Sequence, residues 1–112
     1  MRRLIVVVAS LLVSMPFLAA DSVSLSYDTF FLEAMVQRQK GNNAAAFDLL
    51  QHCVRLKPQA AEAYYFLAQY YDLLKNDSLS GQYYQKAAEL EPDNAVFLET
   101  LAQWYVTQQN YD

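Results

Sequence analysis

An all-α solenoid of stacked antiparallel helix pairs is the fold class this sequence predicts, and three observations carry it. Only two glycines and three prolines punctuate 112 residues, too few for the turns of an all-β fold. Pro58 and Pro92 stand 34 residues apart, and each closes a similar run, "CVRLKP" and "AAELEP". Between those prolines an apolar arc recurs at helical spacing. A fixed period in this range marks stacked units that bury their apolar faces against one another. At 54% hydrophobic against 18% charged, the chain is apolar enough to fold as one small domain.

The elements follow in order. Ser26 is a suitable N-cap for a helix starting near Tyr27. Gly41 ends that helix, Lys57-Pro58 ends the next, Asn76-Asp77-Ser78 separates a second pair, and Glu91-Pro92 closes it. The step of 34 pairs Leu67 with Leu101, Ala68 with Ala102, Gln69 with Gln103 and Tyr71 with Tyr105. It also pairs Gln51 with Gln85, Asn42 with Asn76 and Asn76 with Asn110. The last segment, 95–112, holds one helix and stops at the following turn.

Residues within one period resemble the tetratricopeptide repeat. Tyr64-x2-Leu67-Ala68-x2-Tyr71 fits its first helix, with Tyr for the usual Trp and Ala for the usual Gly. Ser80-x3-Tyr84, Ala87 and Pro92 fit its second helix and close. In the unit from about Tyr27 to Ala60, the residues Phe30, Ala34, Gly41, Ala46, Leu50 and Pro58 fit, while Glu33 and Gln37 depart from the pattern. Leu98, Leu101, Ala102 and Tyr105 supply the first helix of a third unit. The resemblance implies repeats over about 27–60 and 61–94, half of another over 95–112, and a right-handed superhelical stack. It also implies that first helices line a concave groove for a peptide or partner helix. The residues at those positions are Asp28, Phe31, Met35 and Arg38, then Glu62, Tyr65, Gln69 and Asp72, then Val96, Glu99, Gln103 and Val106.

The run "AEAYYFLAQYYDLLKND" poses the sharpest question, because four tyrosines and a phenylalanine crowd residues 64 to 71. At ~100° per residue, Tyr64, Leu67, Ala68, Tyr71 and Leu74 share one arc, which Ala63, Phe66 and Tyr70 continue. An arc that wide suits a helix with neighbours on two sides. Burying one such ring stabilises by roughly 1.5–3 kcal/mol, and each hydroxyl can reach a rim or a backbone carbonyl. Glu62, Tyr65, Gln69 and Asp72 fall on the opposite side, so Tyr65 reads as the one exposed ring. On this reading Tyr71→Ala costs about 3–5 kcal/mol and Tyr65→Ala leaves the melting temperature nearly unchanged.

At the start, "MRRLIVVVASLLVSMPFLAADS" has the order of a secretory signal peptide. It shows Arg2-Arg3, a short apolar run, and Ala19-Ala20 before Asp21. The uninterrupted run is short of the about 20 residues that span a bilayer, and an uncleaved anchor is the competing reading. Cleavage after Ala20 leaves residues 21–112 and moves the net charge from −4 to −6. An export address follows, in the periplasm or cell envelope. An acidic chain with scattered lysines and arginines is a poor match for nucleic acid. Its acidic edge favours a neutral or basic protein partner.

Chemistry is scarce. His52 and Cys53 are the single histidine and cysteine, and as neighbours on a helix they point ~100° apart. No second pair completes a zinc site, and Cys53 occupies a small-residue packing position suited to a buried thiol. Glu89, Glu91 and Asp93 ring a turn rather than form an acid/base pair. No nucleophile motif, phosphate loop or cofactor signature is present. A non-catalytic scaffold binding a protein or peptide is therefore expected. The alternative is a carbohydrate-handling envelope module that stacks sugars on Tyr65 and Phe31. On the last helix, Phe97 and Trp104 are expected to lie open for want of a following helix, which points to a piece of a longer array or to self-association.

Overall fold

Helix breaks fall at the punctuation residues. The computed structural model describes the backbone of residues 15–109 and the side chains of residues 24–109. Among these described residues five helices follow one another: α1 (Met15–Gln39), α2 (Asn43–Leu56), α3 (Ala61–Leu73), α4 (Asp77–Leu90) and α5 (Ala95–Gln109). Among the described residues there is no strand. Consecutive helices pack on one another, α1 on α2, α2 on α3, α3 on α4 and α4 on α5. The result is an all-α helical repeat.

Two turns show the period at the level of single dihedrals. Gly41 has φ +82°, and Lys75, one period later, has φ +61°. At each, the helix carbonyls are closed by the same pair of reversed bonds. Gly41 N–H donates to Arg38 C=O and Asn42 N–H to Gln37 C=O, while Lys75 N–H donates to Asp72 C=O and Asn76 N–H to Tyr71 C=O. This closure needs a left-handed residue, which glycine adopts freely and lysine does not. Asn76 then caps α4, its side chain accepting from Leu79 N–H at 3.2 Å. The second break is shorter than expected, because Asp77 and Ser78 belong to α4. Ser26 is no cap either, since α1 runs on through it from Met15.

Small residues set the helix spacing. Ala34, Ala46, Ala63, Ala68 and Ala87 are fully buried and let backbones approach, while Leu50 and Leu67 fill the space between. One core joins α1, α2 and α3, with Phe30, Phe47 and Tyr71 packed on its edge. A smaller one, Ala61, Ala87, Ala88 and Phe97, joins α3 and α4 to α5. Cys53 is fully buried in the first core, and burial pushes its thiol up to about 11, so it stays protonated.

The last helix corrects one expectation. Phe97 is buried, and the Trp104 ring lies against Gly81 of α4, where a Cβ would meet its Cη2 at 2.5 Å. The period explains this. Stepping back by 34 takes Phe97 to Ala63 and Trp104 to Tyr70, both buried positions that face the preceding unit. The uncovered side of α5 is instead Leu98, Ala102 and Tyr105, with Leu98 and Tyr105 each 46% exposed. Their equivalents Tyr64, Ala68 and Tyr71 lie toward α4, with the rings of Tyr64 and Tyr71 edge-on to Tyr83.

Candidate functional site

A row of rings crosses the three first helices. Tyr27 stacks on Phe31 at 5.9 Å between centroids, and Phe31 meets Phe66 at 6.0 Å. Phe66 meets Tyr65 at 5.3 Å, and Tyr65 meets Phe97 at 5.0 Å. The row thus runs from α1 through α3 to α5. Its rings are offset, tilted or edge-on, the arrangements in which aromatic quadrupoles attract.

Tyr65 is therefore not the exposed ring expected. It is half-buried and also touches Tyr84 of α4, with centroids 6.1 Å apart. A single-helix wheel placed it on a polar arc, but that arc is the seam where α4 and α5 arrive. Phe66, read as core from sequence, is half-buried and carries the guanidinium of Arg38 over its face at 4.9 Å.

Polar side chains bind the row together. Arg38 Nη2 donates to Gln69 Oε1 at 2.8 Å, linking α1 to α3. Tyr27 Oη donates to Glu62 Oε1 at 2.6 Å across the same interface. The Asp72 carboxylate accepts from Ser80 Oγ at 2.6 Å and from Tyr84 Oη at 2.9 Å. Glu62 and Asp72, expected as groove-lining acids, are thus engaged as acceptors within the fold. Tyr64 meets the expectation that ring hydroxyls reach a carbonyl, donating to Pro58 C=O at 2.8 Å.

Two open clefts meet at Asp72 and Tyr84, the latter against Tyr65 of the row. A wide one of about 830 Å³ lies between the α3–α4 turn and α5, with Asp72, Lys75, Asp77, Glu99, Gln103 and Trp104 among its lining residues. A narrower one of about 400 Å³ is lined by Arg38, Asn43, Gln69, Tyr70, Asp72, Leu73 and Tyr84. Of the residues singled out from sequence, Phe31, Arg38, Tyr65, Gln69 and Asp72 share the row or its clefts. Glu99 and Gln103 face Asp72 across the wide cleft, and Met35 packs against the first core. Asp28 is exposed, and Val96 and Val106 are exposed on α5 outside both linings. Phe66, Tyr70 and Tyr84 went unremarked as site residues. The Tyr27–Glu62 bond did leave a trace in the sequence, since its partners are one period plus one residue apart.

Burial raises the hydroxyl pKa of Tyr27 above the usual tyrosine range, and the Glu62 carboxylate raises it further. Tyr84 is raised in the same way by burial and by Asp72. In both cases the folded state holds its proton more tightly than the unfolded chain. Their contribution to stability is complete below a pH of about 10 and is lost as pH rises beyond it. Thermal melts should therefore fall steeply above that pH, and the double variant Tyr27→Phe, Tyr84→Phe should fall less steeply. Parallel alkaline slopes for the two proteins would refute this.

Among the described residues no group of three His, Cys, Asp or Glu side chains could hold a metal ion. No helix among them is long and apolar enough to cross a membrane.

Comparison with known proteins agrees with this geometry. The family model for the tetratricopeptide repeat matches residues 27–60 and 61–94. No curated protein matches the chain in sequence. Among solved structures, the crystal structure of MamA superposes with a TM-score of 0.67 at 20% identity. The match covers 74% of this chain and 48% of that one, so the chain spans about half the length of that structure. At that identity the likeness concerns the fold.

Proposed function

Because this chain belongs to the tetratricopeptide repeat family, we propose that it is an exported scaffold that holds a protein or peptide partner and performs no catalysis. One observation carries the reading. The half-buried aromatic row from Phe31 through Phe66 to Tyr65 touches the cleft linings through Arg38 over Phe66 and Tyr84 against Tyr65, offering apolar anchorage beside hydrogen-bonding groups. Rigid aromatic anchors with a polar rim suit protein recognition. A photo-crosslinking residue at position 31 or 69 should trap a protein partner, whereas one at the exposed position 86 on α4 should not. Equal trapping at all three positions, or retention of the chain on a glycan array in place of protein, would count against the groove.

Export rests on the leader, whose basic end and apolar run lie outside the described residues. Intact mass of the secreted protein should place its N-terminus at Asp21, and a soluble protein that retains Met1 would defeat this part of the proposal.

Self-association has its seat on α5. Leu98, Ala102 and Tyr105 form a stripe that is large, small and large in order, without a charge. Two copies crossing antiparallel at Ala102 would set each leucine beside the other's tyrosine. Light scattering on residues 21–112 should show association that Leu98→Glu with Tyr105→Glu abolishes, because like charges then meet across the crossing. A strictly monomeric parent protein at every concentration would exclude this seat, as would an associated double variant. Adding a polar helix over the stripe should raise the melting temperature.

A further inference from the structure

The two clefts are one construction repeated a period apart. Arg38, Asn43, Gln69, Tyr70 and Leu73 line the narrower one. A step of 34 carries these five to Asp72, Asp77, Gln103, Trp104 and Thr107, all of which line the wider one. Position repeats, but charge does not. The narrower lining holds one cation, Arg38, and one acid, Asp72. The wider lining sets Asp72 of α3, Asp77 of α4 and Glu99 of α5 against Lys75 alone.

In the narrower cleft the chain itself shows what such a place can hold. Arg38 Nη2 donates to Gln69 Oε1 at 2.8 Å, and the guanidinium lies over Phe66. The wider cleft keeps the glutamine of this pair and lacks the arginine. Asp72 stands at the arginine's position and has turned to the hydroxyls of Ser80 and Tyr84. Gln103, at the position of Gln69, is exposed, and Thr100 replaces Phe66. Shorter side chains at both positions leave more room, about 830 Å³ against about 400 Å³.

Three acids on a surface would by themselves be only a solvated face. The repeat adds an independent reason to read a site here. An arginine already occupies the equivalent cleft, bonded to the equivalent glutamine, and the second cleft replaces that arginine with negative charge. Lys75 answers one of the three carboxylates, which leaves the lining with an excess of negative charge.

We propose that the wider cleft receives an arginine side chain of the partner protein, its guanidinium donating to Gln103 Oε1 and drawn by the Asp77 and Glu99 carboxylates. Asp72, its oxygens engaged by hydroxyls, adds its charge to the lining. This rests on the peptide-binding reading above and names its anchor. The planar fork of a guanidinium suits an amide oxygen and carboxylates together, and its charge-assisted bonds are beyond the reach of a neutral isostere.

The test is an array of immobilised peptides, each made with arginine and with its neutral isostere citrulline at the same position. The chain should bind arginine twins about tenfold or more tightly. Asp77→Asn with Glu99→Gln should erase that preference, and Gln103→Leu should weaken it. Glu89→Gln with Glu91→Gln removes the same charge outside this cleft and should leave the preference in place. All five positions are exposed, so these substitutions spare the core. Peptides bound without arginine preference would overturn this inference and leave peptide binding standing. So would a preference that survives the Asp77 and Glu99 pair, is untouched by Gln103→Leu, or disappears equally in the Glu89 and Glu91 pair. Failure to bind any peptide would overturn both.

Discussion

Tyr65→Ala is expected to destabilise the protein by about 2–4 kcal/mol, close to the effect of Tyr71→Ala. The two rings look like opposites on a helical wheel, yet the fold gives them similar surroundings. Tyr65 packs on Phe66, Tyr84 and Phe97, and Tyr71 packs edge-on to Phe47 and Tyr83. Each is half-buried, which places the cost below that of a fully enclosed ring. Tyr65 also joins three helices, so its loss should loosen α5 as well as α3. Thermal melts of the two variants should fall by ~10 °C or more in a domain of this size. A Tyr65→Ala protein that melts like the parent would mean that α5 does not lean on this ring. Tyr65→Phe should be mild by comparison, since the ring contacts carry the effect.

The second large effect centres on Gly81. A Cβ added there would stand 2.5 Å from Trp104 Cη2 and 2.6 Å from Cζ2, inside any tolerable contact. Alanine would ordinarily stabilise a helix interior by about 1 kcal/mol over glycine. Here overpacking costs about 1–3 kcal/mol, so Gly81→Ala should come out neutral to destabilising. Gly81→Val adds two methyl groups against the same ring and a poorer helix propensity. It should expel the indole and undock α5. Trp104 is the only tryptophan, so its fluorescence reports this contact alone. Gly81→Val should shift the emission to the red and lower the melting temperature. If Gly81→Ala stabilises with unchanged emission, the indole does not occupy this seat.

Much of the architecture is legible in the residues. Gly41, Pro58 and Pro92 place the breaks, and the step of 34 transfers burial from the first unit to the second. The same step, carried through to Phe97 and Trp104, assigns both to the inter-unit face. Reading them instead as an open face came from following the end of the chain rather than the period. Lys75 at φ +61° is legible too, as the counterpart of Gly41, although its residue type hides it. The candidate groove positions on α1 and α3 also follow from the repeat, and Arg38, Gln69 and Phe31 do converge.

Tertiary structure alone decided which of those side chains remain free to meet a partner. Glu62 and Asp72 look like open acids on a wheel, and both are taken up by hydroxyls from other helices, Tyr27, Ser80 and Tyr84. Tyr65 and Phe66 are adjacent in sequence, yet one meets α4 and α5 and the other meets α1. The physical reason is that a wheel describes one helix, whereas α3, which carries these residues, has neighbours on both sides at inclined angles. Positions at the seam between those neighbours change character with the reach of the side chains opposite. Sequence periodicity therefore determined the repeat and its core, and the charge, exposure and hydrogen-bonding state of the cleft were decided only when the helices came together.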